Sequence, residues 1–219
     1  MENININLGR DNIKVNDDKL YLFTKRMLDI LGSLTGILLL SPIFLIVAIC
    51  IKIEDPKGKI LFSQVRNGLH GKEFNIYKFR SMVHNAEDLL EQLKSKNEMD
   101  GPVFKMKYDP RITKIGRIIR KTSIDELPQL FNILKGDMSL VGPRPPIPSE
   151  VNQYDDYQIQ RLMGKPGLTC YWQIGGRNNI DFDEWVELDL KYLKERNIFI
   201  DLKIIMMTIP VLLGDKNAS

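Results

Sequence analysis

The hydropathy pattern is dominated by one apolar run, from Ile30 to Ile51, that contains no charged residue. A run of this length is typical of a membrane-spanning helix. Ser41 and Pro42 lie near its middle, and a proline inside a helix removes a backbone hydrogen bond and crowds the preceding turn. The two halves, of about 12 and 9 residues, would be roughly 18 and 14 Å long, whereas the hydrocarbon core is about 30 Å thick. Neither half spans a bilayer by itself.

Positive charges flank both ends of this run, at Lys25, Arg26, Lys52, Lys57 and Lys59. The asymmetry of charge that orients a membrane-spanning helix is therefore missing. We predict a re-entrant membrane helix over residues 19–53, broken at Ser41-Pro42, which enters and leaves the same leaflet. A kinked helix that spans the bilayer is the alternative.

The regions on either side of the helix have different patterns. Residues 1–18 are polar without helical period, which predicts a mobile N-terminal arm, and no signal peptide begins there. Residues 54–219 are predicted to form a cytoplasmic catalytic domain with interfacial amphipathic helices. Asp29 lies one turn after Lys25, and we expect an ion pair between them to make the carboxylate tolerable at the membrane boundary.

Alternating apolar and polar positions predict a β-hairpin, with strands over 60–66 and 73–82 around Asn67 to Gly71. Lys78 and Arg80 are two residues apart and so lie on the same face of the second strand. Exposed strands often carry such cations for solubility alone.

Further elements are predicted along the rest of the chain. They are helices over 84–98, 150–163 and 181–196, an aromatic strand over 168–174, and an apolar interfacial stretch over 204–213 broken by Pro210.

A basic segment follows, with cations at every third position, at Arg111, Lys114, Arg117 and Arg120. Isoleucines are interleaved with them, which predicts an amphipathic helix suited to anionic lipid headgroups. A solvated basic face packed on the core through its isoleucines is the simpler interpretation. Binding to nucleic acid is not predicted, because no aromatic platform or known recognition motif accompanies the charges.

Two adjacent carboxylates, Asp125 and Glu126, come directly after this segment. Ser123 and Glu126 have the spacing of a capping box, and Pro128 is tolerated only near a helix start. The carboxylates are therefore predicted in or before the first turn of a helix that runs through Leu134. A role as a helix cap would be enough to explain Glu126. Asp125 is harder to explain in this way, because it is not at the capping position and it follows several cations.

Composition limits the remaining possibilities. The 219 residues, 43% hydrophobic and 27% charged, suffice for one globular domain, and the net charge is +3. Two distant cysteines, Cys50 and Cys170, indicate neither a disulfide framework nor a zinc cluster, and His84 has no second ligand nearby. No phosphate-binding glycine loop, dinucleotide fingerprint or nucleophile elbow is present. Any bound phosphate would therefore have to be held by other groups, such as arginines and helix ends.

Several motifs occur in a fixed order between Lys25 and about Leu213: KRMLD, LSP, FSQVRNG, YKFRSM, DPRITKIGRIIR, SIDELPQLFNILKGDMSLVGPRP, PGLTCYWQIGGRN and DLKI. In this order they resemble the bacterial sugar transferases, also called monotopic phosphoglycosyl transferases, which begin lipid-linked glycan assembly. The resemblance implies an α+β, membrane-associated fold, mostly helical with a small β-hairpin and the re-entrant helix. The chain resembles the short form of the family, although a truncated longer chain would look the same.

The resemblance also implies a reaction. Sugar-1-phosphate passes from a nucleotide-diphosphate sugar, usually a UDP-sugar, to polyprenyl phosphate, which gives a polyprenyl-diphosphate sugar and UMP. Asp125 matches the nucleophile that forms a covalent phosphosugar intermediate, and Glu126 matches its partner. Mg²⁺ is the implied cofactor, with Asp125 and Glu126 as its ligands.

By the same resemblance, five cations are the expected substrate and phosphate ligands: Lys78, Arg80, Arg120, Arg144 and Arg177. Gly175 and Gly176 before Arg177 allow close approach of a ligand, though they equally mark an ordinary turn. Cys170 stands where relatives often have glycine. The implied location is the cytoplasmic face of the bacterial inner membrane, with nucleotide sugar, polyprenyl phosphate and membrane lipids as partners.

Two other functions compete with this one. A non-catalytic lipid-binding scaffold would retain the fold, but the presence of both carboxylates and the arginines argues against it. An ordinary glycosyltransferase would release UDP in place of UMP. The sequence leaves open which sugar is used and whether the chain is a monomer or a homodimer.

Overall fold

A computed structural model describes residues 12–93, 106, 108–175 and 181–214. The fold is mostly helical with two small sheets, which confirms the predicted α+β class. In chain order the α-helices are α1 (Lys19–Glu54), α2 (Ala86–Leu93), α3 (Lys114–Lys121), α4 (Gln129–Lys135), α5 (Pro148–Val151), α6 (Tyr171–Ile174), α7 (Phe182–Glu195) and α8 (Ile198–Gly214). The strands are β1 (Leu61–Asn67), β2 (Glu73–Phe79), β3 (Ser139–Val141) and β4 (Gly167–Thr169).

Helix α1 contains the whole apolar run. Asp18 caps its N-terminus by accepting a hydrogen bond from the amide of Tyr21 at 2.8 Å. The helix continues through Ser41 and Pro42, so the expected break does not divide it into two separate helices. The Ser41 hydroxyl donates to the carbonyl of Leu38 at 2.9 Å, a type of bond that often bends helices. A bend of the helix axis at Pro42 and the re-entrant path remain predictions.

Two charged side chains of α1 lie inside the protein. Lys25 forms an ion pair with Asp201 of α8 at 2.8 Å and donates to the carbonyl of Val141 at 2.9 Å. Asp29 accepts hydrogen bonds from the hydroxyl of Ser139 and the amide of Leu140. The expected ion pair between Lys25 and Asp29 is therefore not formed, because each side chain has its own partners across the core.

The hairpin is confirmed, with β1 and β2 antiparallel from Leu61 opposite Phe79 to Asn67 opposite Glu73. A second sheet pairs β3 with β4 in parallel. The aromatic strand predicted over 168–174 is wrong, because only Gly167–Thr169 is a strand and Tyr171–Ile174 forms α6. In α6, Trp172 packs against Trp185 of α7 with ring centroids 4.3 Å apart, which a continuous strand would not provide.

The single helix predicted over 150–163 is also wrong. Helix α5 ends at Val151, and a separate 3₁₀ helix covers Gln158–Met163. Between them, the Asp155 carboxylate accepts hydrogen bonds from the amides of Tyr157 and Gln158, at 2.9 and 2.7 Å. An aspartate that bonds backbone amides in this way starts a new turn in place of continuing a helix.

Three groups of buried apolar side chains form the core. The largest surrounds α7 and α8 and includes Trp185, Leu190 and Tyr192. A second joins α1, β2 and α3 through Val47, Ile51, Phe79 and Ile119. The third lies under α4, with Ile76, Leu130, Ile133 and Met138. The segment between α3 and α4, which carries the two adjacent carboxylates, is thus held between the second and third groups.

Candidate active site

The two adjacent carboxylates lie on one turn of 3₁₀ helix, Ile124–Glu126, ahead of α4. Pro128 directly precedes α4, as its position near a helix start predicted. The capping box is not formed, because Ser123 adopts left-handed backbone angles, with φ of 54°, and its side chain does not cap the turn. Ile124 packs into the apolar group around Phe79 and Ile119, which anchors the turn.

Asp125 is buried, with 8% of its surface exposed. Burial raises the pKa of its carboxyl group to about 6. The positive charge of Lys78 lowers this pKa, the negative charge of Glu126 raises it, and Arg120 lowers it. At neutral pH the group is mostly ionised and largely removed from water, which suits a nucleophile.

Lys78 joins the second carboxylate to the hairpin. Its ammonium group lies 2.6 Å from an oxygen of Glu126. The register of β1 and β2 places Lys78 opposite Phe62 in the hairpin, on the strand that faces the 3₁₀ turn. The structure therefore brings Lys78 to the two carboxylates.

Arg120, Arg111 and Arg80 differ in their distance from the carboxylates and in their partners. Arg120 is exposed in the last turn of α3, and its charge acts on Asp125. Arg111 precedes α3 and is buried in an ion pair with Asp109 at 2.6 Å, so it is not part of the basic helix face. Arg80 follows β2 and donates to the carbonyl of Lys59 at 2.9 Å. Its predicted role in phosphate binding remains a prediction.

Arg144 follows β3 in a loop of buried prolines. Its guanidinium lies 3.7 Å from the carboxylate of Glu150 and 4.9 Å from the ring centroid of Trp185. A guanidinium at this distance from an indole ring is attracted to it, and the Arg144 side chain is still 27% exposed. Arg177 lies outside the described residues, so its predicted role is untested.

Arg66 was not predicted as a site residue, although it lies within the FSQVRNG motif. It is 9% exposed, and it donates to the carbonyl of Pro145 at 3.0 Å and to Gln64 at 2.7 Å. Burial lowers the pKa of Arg66 to about 10, and the charge of Arg144 acts in the same direction. Glu126 is among the charges that raise this pKa, so Arg66 lies within electrostatic reach of both Arg144 and Glu126. A single arginine on a strand does not indicate a site residue in the sequence, because cations are common on exposed strands.

Asp125 and Glu126 fit the donor set of a magnesium site. Mg²⁺ prefers oxygen ligands, and it commonly takes one or two carboxylates and completes its shell with water and substrate phosphates. The negative charge of Glu126 raises the pKa of Asp125, which a divalent cation would offset. In the described part of the chain, no group of three or more acidic, histidine or cysteine residues is placed to hold a metal. The substrate would therefore have to supply further ligands.

Comparison with known proteins identifies similar chains. A model of the family described as bacterial sugar transferase matches residues 20–215. The chain is 52% identical over 196 residues to a galactosyl transferase, CpsE, of Streptococcus agalactiae, and 45% identical over 198 residues to an undecaprenyl-phosphate galactose phosphotransferase of Salmonella typhimurium. It is 41% identical over 196 residues to a UDP-galactose-lipid carrier transferase of Erwinia amylovora.

These matches cover 88%, 87% and 87% of this chain, in the same order. They cover only 43%, 40% and 40% of the three relatives. The chain therefore spans less than half the length of these three relatives.

Proposed function

Since the chain belongs to the bacterial sugar transferase family, we propose that it transfers a sugar-1-phosphate group from a UDP-sugar to polyprenyl phosphate. The observation that carries this proposal is the buried carboxylate of Asp125 beside the ion pair of Lys78 and Glu126. Two relatives support these substrates, since one is an undecaprenyl-phosphate galactose phosphotransferase of Salmonella typhimurium and the other a UDP-galactose-lipid carrier transferase of Erwinia amylovora.

In the first step, an oxygen of Asp125 attacks the phosphorus that carries the sugar. The bond between this phosphorus and the bridging oxygen of the diphosphate breaks, and UMP leaves with the electron pair. An aspartyl-phosphosugar intermediate remains on the protein. A carboxylate needs no base for this attack, because it is already deprotonated at neutral pH.

The surrounding cations reduce the repulsion between the carboxylate and the diphosphate. Lys78 and Arg120 act on Asp125 directly, since both lower its pKa. Arg144 would bind phosphate oxygens through its guanidinium. Asp125 and Glu126 are the residues that would hold Mg²⁺, which when bound supplies further positive charge to the diphosphate.

In the second step, a phosphate oxygen of polyprenyl phosphate attacks the same phosphorus. The bond to Asp125 breaks, the carboxylate is regenerated, and the product is a polyprenyl-diphosphate sugar. The lipid acceptor requires a site at a membrane surface. Within the described residues, α1 is the one helix long and apolar enough to cross a membrane, and it exposes a row of large apolar side chains. We place the site at the cytoplasmic face of the bacterial inner membrane.

The test is incubation of the protein with Mg²⁺, short-chain polyprenyl phosphate and, in turn, UDP-galactose, UDP-glucose and their N-acetyl derivatives. We expect UMP as the nucleotide product and a sugar-phosphate mass adduct on the protein when the acceptor is omitted. Asp125→Asn should abolish both turnover and adduct, and chelation of Mg²⁺ should suppress turnover.

Asp156→Asn, an exposed carboxylate remote in sequence from the site, is the matched control and should retain full activity. Stoichiometric UDP in place of UMP would show attack at the sugar carbon and an ordinary glycosyltransferase. Turnover by Asp125→Asn would contradict the role of Asp125 as the nucleophile.

A further inference from the structure

Arg66 is a buried cation whose hydrogen-bond partners are neutral. Its two terminal nitrogens donate to the carbonyl of Pro145 and the side chain of Gln64. Among the residues that the structure describes, its third nitrogen, Nε, has no acceptor although it is buried. Buried guanidinium groups are normally paired with a carboxylate, so this arrangement requires an explanation.

Among the described residues, Arg66 forms no ion pair with a carboxylate, although the charges of Glu150 and Glu126 both act on it. Glu150 lies 3.7 Å from Arg144, and its other oxygen accepts from the amide of Ile147 at 3.0 Å. Glu126 is paired with Lys78 at 2.6 Å. Arg144 brings a second positive charge near Arg66, and it lowers the pKa of Arg66. The two carboxylates are therefore bonded to other groups, and two guanidiniums lie within electrostatic reach of each other.

Arg66 also holds the loop that carries Arg144. Its bond to Pro145 is reinforced by the amide of Asn67, which donates to the carbonyl of Pro146 at 2.8 Å. The end of β1 is therefore bonded to the two residues that follow Arg144. Trp185, whose ring lies beside Arg144, also has a buried indole N–H without an acceptor among the described residues. A buried guanidinium without an ion pair and two unpaired donors together favour a ligand rich in acceptor oxygens and negative charge.

We propose that Arg66 is a further donor-binding residue, and that Arg66 and Arg144 together bind the diphosphate of the nucleotide sugar. This inference rests on the proposed function. A diphosphate has two charged groups and so matches two guanidiniums, whereas the acceptor has a single phosphate. Arg66 contributes through its charge and through the position that it gives to the Arg144 loop.

The experiment measures equilibrium binding of UDP to the full chain in detergent with Mg²⁺, and the KM of each substrate. Arg66→Gln should raise the Kd for UDP and the KM for the UDP-sugar by about tenfold or more, because the positive charge is lost and the bond that holds the Arg144 loop is weakened. The KM for polyprenyl phosphate should change less than about twofold. Arg66→Lys keeps the positive charge but loses the planar set of N–H donors, so it should weaken UDP binding by a smaller factor than Arg66→Gln does.

Arg196→Gln is the matched control. Arg196 is a buried guanidinium at the C-terminal end of α7 that likewise donates to a backbone carbonyl, that of Asn16 at 2.9 Å. Unlike Arg66, it is also paired with a carboxylate, that of Asp17 at 2.5 Å. The control should leave the Kd for UDP unchanged, whatever it does to stability.

An unchanged Kd for UDP in Arg66→Gln would overturn the inference, and so would an effect on the KM of polyprenyl phosphate alone. If Arg66→Gln fails to fold, Arg66→Lys decides, and wild-type affinity for UDP in that variant would overturn the inference. In each of these cases, release of UMP by the wild-type chain would still support the proposed function. A wild-type chain that neither binds UDP nor uses any UDP-sugar would overturn the proposed function, and this inference with it.

Discussion

The burial that prepares Asp125 for chemistry opposes the stability of the fold. The pKa of its carboxyl group rises from 3.8 to about 6 on folding. The folded chain therefore binds an extra proton between these two pH values, and the stability gained from that proton is lost as pH rises through 6. Above pH 7 the ionised carboxylate lowers the free energy of unfolding.

We predict that Asp125→Asn is more stable than the wild-type protein at pH 8 when Mg²⁺ is removed by a chelator. A shift of about two pH units corresponds to up to about 3 kcal/mol, and the advantage should vanish below about pH 4. Thermal or denaturant unfolding at several pH values measures this. Asp156→Asn should show no such dependence on pH, and a destabilised Asp125→Asn at pH 8 would contradict the burial argument.

Among the helices and strands, the position of α3 depends on the close approach of Gly116 to the backbone carbonyl of Ser81. The Thr113 side chain caps α3 by accepting from the amide of Gly116 at 2.9 Å, and the amide of Thr113 donates to the carbonyl of Ser81 at 3.1 Å. A side-chain carbon at Gly116 would lie 1.9 Å from that carbonyl oxygen. Only glycine allows this contact, which sets the place of Arg120 and of the 3₁₀ turn that follows.

Gly116→Ala should therefore lower the free energy of unfolding by about 2 kcal/mol or more, because backbone atoms must move to relieve the overlap. The same substitution at Gly36 is the control. A side-chain carbon there would lie 3.0 Å from the end of the flexible Leu130 side chain, so Gly36→Ala should cost less. Denaturant unfolding of both variants measures the difference, and equal losses would show that the contact with Ser81 is unimportant.

At the scale of the whole molecule, α1 is attached to the rest of the protein through both of its halves. Lys25 and Asp29 in the first half are bonded to β3 and α8. Val47 and Ile51 in the second half pack against Phe79 and Ile119. Large exposed apolar side chains occur along the whole helix: Leu20, Phe23, Met27, Leu31, Leu34, Leu38, Leu39, Leu45, Ile46, Ile49 and Ile53. Exposed α8 side chains, including Phe199 and Met206, add to the apolar surface.

A helix that crosses a bilayer carries its two ends to opposite sides, whereas both halves of α1 contact one polar domain. We therefore predict that both ends lie on the cytoplasmic side. With Cys50 and Cys170 replaced by alanine, Lys19→Cys and Lys57→Cys should resist a membrane-impermeant maleimide in intact cells and react in inverted vesicles. Gln153→Cys, exposed on the domain, is the reference for the cytoplasmic side. Labelling of Lys19→Cys in intact cells would show a helix that spans the membrane.

The features that can be predicted from the amino-acid sequence alone are those that depend on near neighbours along the chain. Alternation over two short segments predicted the hairpin, and the apolar run predicted α1. Pro128 predicted where α4 begins, since proline restricts the backbone locally. The two carboxylates and Arg144 were identified from motifs. In each case the pattern and its cause lie within a few residues.

Contacts between residues that are distant in sequence are seen only in the folded protein. Lys25 pairs with Asp201, 176 residues away, in place of Asp29. Arg66 bonds to Pro145, 79 residues away, which joins it to the loop of Arg144. The pKa of Asp125 depends first on its burial beside α3 and β2, and its sequence neighbour Glu126 contributes less. These properties arise from packing, because burial and charge are summed over everything that surrounds a group in space, and sequence order does not record those neighbours.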